Sequence, residues 1–232
     1  MLIVVPPLGL WALVQLFGLL PQVTVRFPTS DYLTFITPAY AVAAVLPVGM
    51  LSSAALLTDR ASGLWEQMLA TPVPRLSLLV SEFLVVGSIA MTSTLLLLLL
   101  GVMAGLPVRA GLLGILAILF LSLLLSLVYS GFSLAFTMLT SHQNLHRVGG
   151  TLLVFVSFFV SDLILPASFL PSWLVALAQA NPLFYAIRGA RDIVWSAPSW
   201  SDYGRQTLVL ALLAILCVTF STICYHHRVE AS

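Results

Sequence analysis

The chain has 232 residues, of which 60% are hydrophobic and only 7% are charged. Soluble globular domains carry roughly 25% charged residues, so this composition excludes an ordinary water-facing surface and leaves lipid as the simplest environment. Nine arginines, no lysine and eight acidic residues form no basic cluster that would indicate a nucleic-acid partner. A spanning helix needs about 20 apolar residues, and the chain has room for about six.

Six apolar stretches separated by polar segments predict an all-α integral membrane protein, with one transmembrane domain over residues 1–232. The stretches lack the strict alternation of apolar and polar residues that a barrel strand shows. The N-terminus is not predicted to be a signal peptide, because no positive charge precedes its apolar stretch and no obvious cleavage site follows it. The predicted spans cover residues 2–20, 39–58, 76–105, 110–140, 148–165 and 207–225.

The segment between the second and third spans, residues 59–71, has the pattern of an amphipathic helix at a membrane surface. Its apolar face would be formed by Ala61, Leu64, Trp65, Met68 and Leu69. Its polar face would be formed by Arg60, Gly63, Glu66, Gln67 and Ala70. Thr58 or Asp59 is a candidate N-cap, and Pro72 would end the helix. The pattern fits both a helix that transmits force between two spans and one that merely rests at the interface.

Two carboxylates within the predicted spans are functional candidates, because charge is costly in hydrocarbon. Glu82 lies about two turns into the third span, and Asp162 lies about one turn from the end of the fifth. For each residue three interpretations stay open: it contacts substrate, it pairs with an arginine, or it reaches a nearby interface.

The segment between the last two spans, residues 166–205, contains a predicted helix start and a cluster of charged residues. Asn181 can cap a helix, and Pro182 suits its first turn. Arg188 and Arg191 lie on one helical face beside Asp192. They would either bind anionic lipid or substrate, or hold the outer helices against the core.

The sequence lacks several common catalytic and metal-binding motifs. Without lysine it cannot form a Walker A loop. His142 and His146 have helical spacing but lack the glutamate of a zinc protease motif. Residues 129–133 superficially resemble an intramembrane serine protease motif, but no histidine lies inside a span to act as a base. We therefore predict no catalytic, cofactor-binding or metal site in this chain.

Three segments resemble the ABC-2 permease family, which includes drug-export and nodulation-factor-export permeases. Residues 59–75 are similar to its cytoplasmic loop signature: Asp-Arg, a glycine, a glutamate, then Leu-x-Thr-Pro and a basic residue. Residues 31–38 match the segment before the second span, and residues 170–174 followed by 181–185 and 188–191 match the segment before the last. The resemblance covers the chain from about residue 28 to the end. One departure is Glu82, which lies near a position where the family often carries lysine.

The resemblance implies the permease subunit of an ATP-driven ABC exporter in the plasma membrane. ATP would bind to a separate ABC ATP-binding subunit, and a second permease subunit would complete a homodimer or heterodimer in the bilayer. Residues 59–71 would be the cytoplasmic coupling helix, both termini would be cytoplasmic, and residues 166–205 would fold back into the membrane as outer re-entrant helices. The implied coupling residues are Asp59, Arg60, Gly63, Glu66, Thr71 and Pro72.

Arginine counts alone do not set the orientation, since the loops on the two sides carry similar numbers. The mostly aliphatic spans favour an amphipathic or lipid-like cargo without naming it. Two alternatives stay open: a proton-coupled secondary transporter that uses Glu82 and Asp162, and a non-transporting membrane assembly subunit. Against the first, no inverted repeat is visible, although many such transporters have one.

Overall fold

A computed structural model of the chain describes residues 5–18, 32–62, 75–140, 142–164, 170–195 and 200–230. All regular secondary structure in these residues is helical, which confirms the all-α prediction. The described helices are α1 (Val5–Gly18), α2 (Tyr32–Ala43), α3 (Val45–Leu51), α4 (Ala54–Ala61), α5 (Arg75–Met103), α6 (Gly111–Leu139), α7 (Gln143–Phe159), α8 (Ser172–Ala178), α9 (Pro182–Trp195) and α10 (Trp200–Glu230).

Four helical stretches of the described chain are long and apolar enough to cross a membrane: Tyr32–Thr58, Leu79–Met103, Gly111–Leu139 and Trp200–His227. The first of these joins α2, α3 and most of α4. Two further helices are shorter and lie at the positions of the first and fifth predicted spans. At 14 residues α1 extends about 21 Å, and at 17 residues α7 extends about 26 Å, against a hydrocarbon thickness of about 30 Å.

The second spanning stretch begins at Tyr32 rather than at residue 39, so the prediction of a loop up to Pro38 is wrong for its last part. Polar residues and a proline interrupt the apolar run there, which made the segment resemble a loop. In the structure Phe35 is buried, and the Thr37 hydroxyl donates to the Leu33 carbonyl at 2.7 Å. Packing of α2 against α9 supplies the burial that keeps this segment helical.

The last two predicted spans differ from the observed helices at both ends: α7 covers Gln143–Phe159 instead of 148–165, and α10 covers Trp200–Glu230 instead of 207–225. The last helix begins at Trp200 rather than at residue 207, and its first turns carry an exposed ion pair between Arg205 and Asp202. The fifth span was expected to reach residue 165, but α7 ends at Phe159 and the following residues through 164 bend without forming a helix.

Helix α6 is the centre of the fold and packs against α3, α5, α9 and α10. Two of its buried hydroxyls bond to carbonyls of their own helix: Ser122 to Ile118 at 3.1 Å and Ser130 to Ser126 at 2.7 Å. Helices α6 and α10 approach closely at Gly131, since a Cβ at this residue would lie 2.9 Å from the backbone carbonyl carbon of Cys217. Small residues that let two backbones approach closely are typical of helix contacts in membranes.

Candidate functional site

A polar cluster inside the fold lies where α7 ends, and Asn181 is its centre. The last carbonyls of a helix have no partner within it. The Asn181 amide nitrogen donates to two of them, the carbonyls of Ser157 at 2.8 Å and Val160 at 2.9 Å. Its side-chain oxygen accepts from the backbone N–H of Leu183 at 3.1 Å and from the Tyr129 hydroxyl at 3.0 Å. Both donors and both acceptor positions of this amide are therefore occupied.

The helix start predicted at Asn181 and Pro182 is present: α9 begins at Pro182, and the bond from Leu183 is the N-cap. Helix α9 packs antiparallel to α6. Asn181 bonds to Tyr129, Gly189 faces Leu121, and further along Ile193 faces Gly114. These contacts cover about 22 Å of the α6 axis. The turn before α9 therefore lies deep beside α6 rather than at either of its ends.

Asp162 and Arg191 form a buried ion pair just beyond the end of α7. Arg191 Nη1 lies 3.2 Å from Asp162 Oδ2, and the two side chains are 5% and 8% exposed, in that order. Arg191 Nη2 donates to the backbone carbonyls of Asp162 at 2.9 Å and Leu163 at 3.0 Å. The guanidinium also lies 4.0 Å from the centroid of the Phe35 ring. One arginine thus joins α2, α9 and the bend that follows α7.

The position of Asp162 corrects the prediction that it lies within a helical span, because the helix ends before it. Of the interpretations left open by the sequence, the arginine pair is the one observed.

Arg188 has a different environment from Arg191, although the two were predicted to share a helix face. Its guanidinium lies 4.0 Å from the centroid of the Phe184 ring, and the side chain is half-buried.

Glu82 lies in a second polar group, far from Asp162 along the α6 axis. It accepts a hydrogen bond at 3.1 Å from the hydroxyl of Ser53, whose backbone carbonyl in turn accepts a weaker one from Thr137 at 3.4 Å. Arg191 sits on α9 between the residues that face Leu121 and Gly114. Since Thr137 and Leu121 are separated by about 24 Å of helix axis, the two carboxylates do not share one site.

Most of the predicted coupling segment lies outside the described residues, including Gly63, Glu66, Thr71 and Pro72. Asp59 and Arg60 belong to the last turn of α4, and only their backbone is described. The helix does not start at residue 59 as predicted, because it already begins at Ala54. Helical bonding continues to the end of α4, where the Ser62 N–H donates to the Thr58 carbonyl at 3.0 Å.

The two histidines that drew attention in the sequence lie in different surroundings. His146 lies in the first turn of α7, so the expectation that no histidine lies inside a span is wrong. It is fully buried, with Nε2 3.3 Å from the Ser133 hydroxyl oxygen, whereas His142 is exposed. Within the part of the chain that the structure describes, no three metal-binding side chains come together.

Sequence reasoning missed Tyr129 and Phe35 as partners in the polar cluster. A tyrosine inside an otherwise aliphatic span was the available signal for Tyr129, since a buried tyrosine hydroxyl usually finds a partner. Phe35 gave no such signal, because only the fold places its ring beside the guanidinium of Arg191.

These observations define a multi-pass helical membrane protein. One of its helices, α7, ends inside the fold, where buried polar side chains bond to backbone carbonyls. Over residues 21–223 the chain matches the family described as ABC-2 family transporter protein. The chain therefore belongs to the ABC-2 transporter family, as the resemblance in the sequence indicated.

Two relatives are named as drug resistance ABC transporter permeases. The daunorubicin resistance ABC transporter permease protein DrrB1 of Streptomyces coeruleorubidus is 24% identical over 200 residues, which cover 83% of this chain and 67% of the relative. A probable doxorubicin resistance ABC transporter permease protein, DrrC, of Mycobacterium tuberculosis is 25% identical over 182 residues, covering 78% of this chain and 66% of the relative. The chain thus spans about two thirds of the length of these relatives.

Proposed function

We propose that this chain is the membrane-spanning permease subunit of an ATP-driven ABC exporter in the plasma membrane. The observation that carries the proposal is the family match over residues 21–223 on a frame of apolar helices. Both relatives are named as drug resistance permeases, which supports export of an amphipathic compound. The mainly aliphatic spans suit such a cargo.

In this proposal the membrane domain has six spans with both termini in the cytoplasm. α1 and α7 provide the first and fifth spans, and α8 and α9 form a re-entrant pair that enters from outside. The contact between Asn181 and Tyr129 supports re-entry, because Tyr129 lies about 27 Å from the outer end of α6 in this orientation. The non-helical residues after α7 are buried, as backbone at membrane depth requires.

The ATPase would be a separate ABC ATP-binding subunit, since the chain has no lysine for a Walker A loop. It would contact the cytoplasmic segment that contains Asp59, Arg60, Gly63, Glu66, Thr71 and Pro72. Movement of that segment would pass directly into α4, whose last turn includes Asp59 and Arg60. A second permease subunit, identical or different, would complete the translocation path.

The test is affinity capture of the tagged chain from its native membranes in a mild detergent. We expect a P-loop ATPase to be recovered with the unmodified chain, and several-fold less of it with the double variant Arg60→Glu, Glu66→Arg. The matched control reverses the exposed pair Asp202 and Arg205, which this topology places outside. It should recover the unmodified amount. Absence of any ATPase from the unmodified sample would contradict the proposal.

The proton-coupled carrier has less support than the ABC permease. Its two carboxylates, Glu82 and Asp162, lie far apart along α6, and Asp162 is held by Arg191. No observation in the structure favours a non-transporting assembly subunit over a permease.

A further inference from the structure

A crevice of about 410 Å³ opens beside the end of α7, between α6, α8 and α10. Its walls include Phe132 of α6, Leu153 and Val156 of α7, and Leu213 of α10. Its volume falls in the range of roughly 300–1,000 Å³ that is typical of small-molecule pockets.

The chemistry of the crevice suits hydrocarbon rather than a polar ligand. None of the described lining residues is charged. The amide of Asn181 borders the crevice, but both its donors and both its acceptor positions are occupied by protein groups. The Tyr129 hydroxyl already donates to that amide. A ligand would therefore gain mainly from apolar burial and dispersion contacts.

The mouth of the crevice is continuous with the exposed apolar surface of the protein. Phe132, Val156 and Leu177 line the crevice and are each about half exposed. On α7 the exposed surface continues to Leu152 and Phe155. A chain lying in the hydrocarbon region of the bilayer can enter from the side without crossing a polar surface.

We propose that this crevice binds one acyl chain of a bilayer lipid. The chain would pack against the end of α7 next to the hydrogen-bonded Asn181. The inference follows from the shape, the apolar walls and the lateral opening, and it does not depend on ATP-driven export. A bilayer lipid is the favoured source because the described lining offers no charge to a free acid or a headgroup, whereas the opening faces the region where acyl chains lie.

The test uses the full chain in digitonin, a detergent without a linear alkyl chain. Phosphatidylcholine with a diazirine at the end of one acyl chain is titrated in, the sample is irradiated, and adducts are mapped by mass spectrometry. We expect adducts on Leu153, Leu213 or Cys217 to saturate at low lipid fraction. Adducts on Leu208 and Leu212, exposed residues of the same helix as Leu213, should keep rising with lipid fraction.

Ala180→Phe is the blocking variant, because Ala180 lines the crevice but is itself exposed, so the new ring costs little internal packing. It should lower crevice adducts at least fivefold. The matched control Ala176→Phe makes the same change at an exposed residue of α8 that is not in the lining, and it should leave adducts within twofold.

Three results would overturn the proposal. Crevice adducts that never saturate, or that survive Ala180→Phe, would show only ordinary surface lipid. Adducts displaced by dodecanoate but not by unlabelled phosphatidylcholine would assign the crevice to a single-chain amphiphile. Crevice residues that stay unlabelled while Leu208 and Leu212 are labelled would show that no acyl chain enters the crevice.

Discussion

At the residue scale, the N-cap residue of α9 and one arginine within α9 bond to backbone carbonyls at the end of α7 and in the bend that follows it. Asn181 donates to the carbonyls of Ser157 and Val160, and Arg191 donates to those of Asp162 and Leu163. Unpaired backbone groups are expensive in a medium without water. These two residues therefore explain how α7 can end at this depth and be followed by residues that form no helix.

We predict that Asn181→Ala destabilises the folded protein by about 2–4 kcal/mol, because it leaves two α7 carbonyls, the Tyr129 hydroxyl and the α9 N-cap without their partner. Thermal unfolding in detergent measures the effect as a lower midpoint temperature. The matched control Asn144→Ala removes an exposed asparagine amide and should leave the midpoint almost unchanged. Equal midpoints for the two variants would show that the Asn181 bonds add nothing to stability.

The buried ion pair should be far more sensitive to truncation than the exposed one. Asp162→Ala leaves the guanidinium of Arg191 buried without its carboxylate, which costs about 3–5 kcal/mol for a typical buried pair. Asp202→Ala breaks the exposed pair with Arg205, where about 0–1 kcal/mol is expected. The measurement is the denaturant midpoint of both variants. The prediction fails if the Asp162 variant unfolds no more easily than the Asp202 variant.

At the element scale, α6 and α10 approach closely because a glycine meets a backbone. A Cβ at Gly131 would lie 2.9 Å from the carbonyl carbon of Cys217 and 3.1 Å from its carbonyl oxygen. Backbone atoms of a packed helix cannot move aside as a flexible side chain can. The distance between the two helices is therefore set at this residue.

Alanine should have opposite effects at two glycines of these helices. Gly131→Ala should destabilise the protein by about 1–3 kcal/mol, because overpacking against α10 outweighs the better helix propensity of alanine. At Gly204 of α10 a Cβ would meet nothing within 4 Å, so Gly204→Ala should stabilise by up to about 1 kcal/mol. Unfolding midpoints that fall at the first position and rise or stay level at the second would support close α6–α10 packing. A shift in the same direction at both would contradict it.

How far the sequence predicts an element depends on whether its boundary is set locally. The helix start at Pro182 was predictable because asparagine and proline act within their own turn. The start of α2 at Tyr32 was not, since it depends on burial against α9. The end of α7 was also missed, because its apolar residues continue past Phe159 while the partner of its last carbonyls is Asn181, more than 20 residues later.

The candidate site likewise has features that the sequence predicts and features that depend on contacts between distant segments. The two arginines and Asp162 were visible as unusual charges in an apolar chain, but their pairing depends on contacts between distant segments. Spacing gave no reason to prefer Arg191 over Arg188 as the partner of Asp162. Only the packing of α9 against α2 places the Arg191 guanidinium in the core beside Phe35, whereas the contact of Arg188 with the Phe184 ring, four residues earlier, is local to α9.

At the scale of the whole molecule, the polar ends of the helices make the proposed topology testable. With both termini in the cytoplasm, the loop before α6 and the start of α10 lie outside, whereas the end of α4 and the start of α7 lie inside. Arg109, Ser201, Ser62 and His142 are exposed residues at these four places. Each can therefore carry a reporter cysteine with little effect on packing.

In a background with Cys217→Ser and Cys224→Ser, we predict that a membrane-impermeant maleimide labels Arg109→Cys and Ser201→Cys on intact cells. Ser62→Cys and His142→Cys should react only after the membrane is opened, because their loops face the cytoplasm. Labelling after opening is also the control that each cysteine is accessible. Labelling of Ser201→Cys from the same side as His142→Cys would place the end of α9 inside and overturn re-entry from outside. The reverse pattern at all four positions would keep the re-entrant geometry but invert the protein in the membrane, and an inverted chain could not present α4 to a cytoplasmic ATPase.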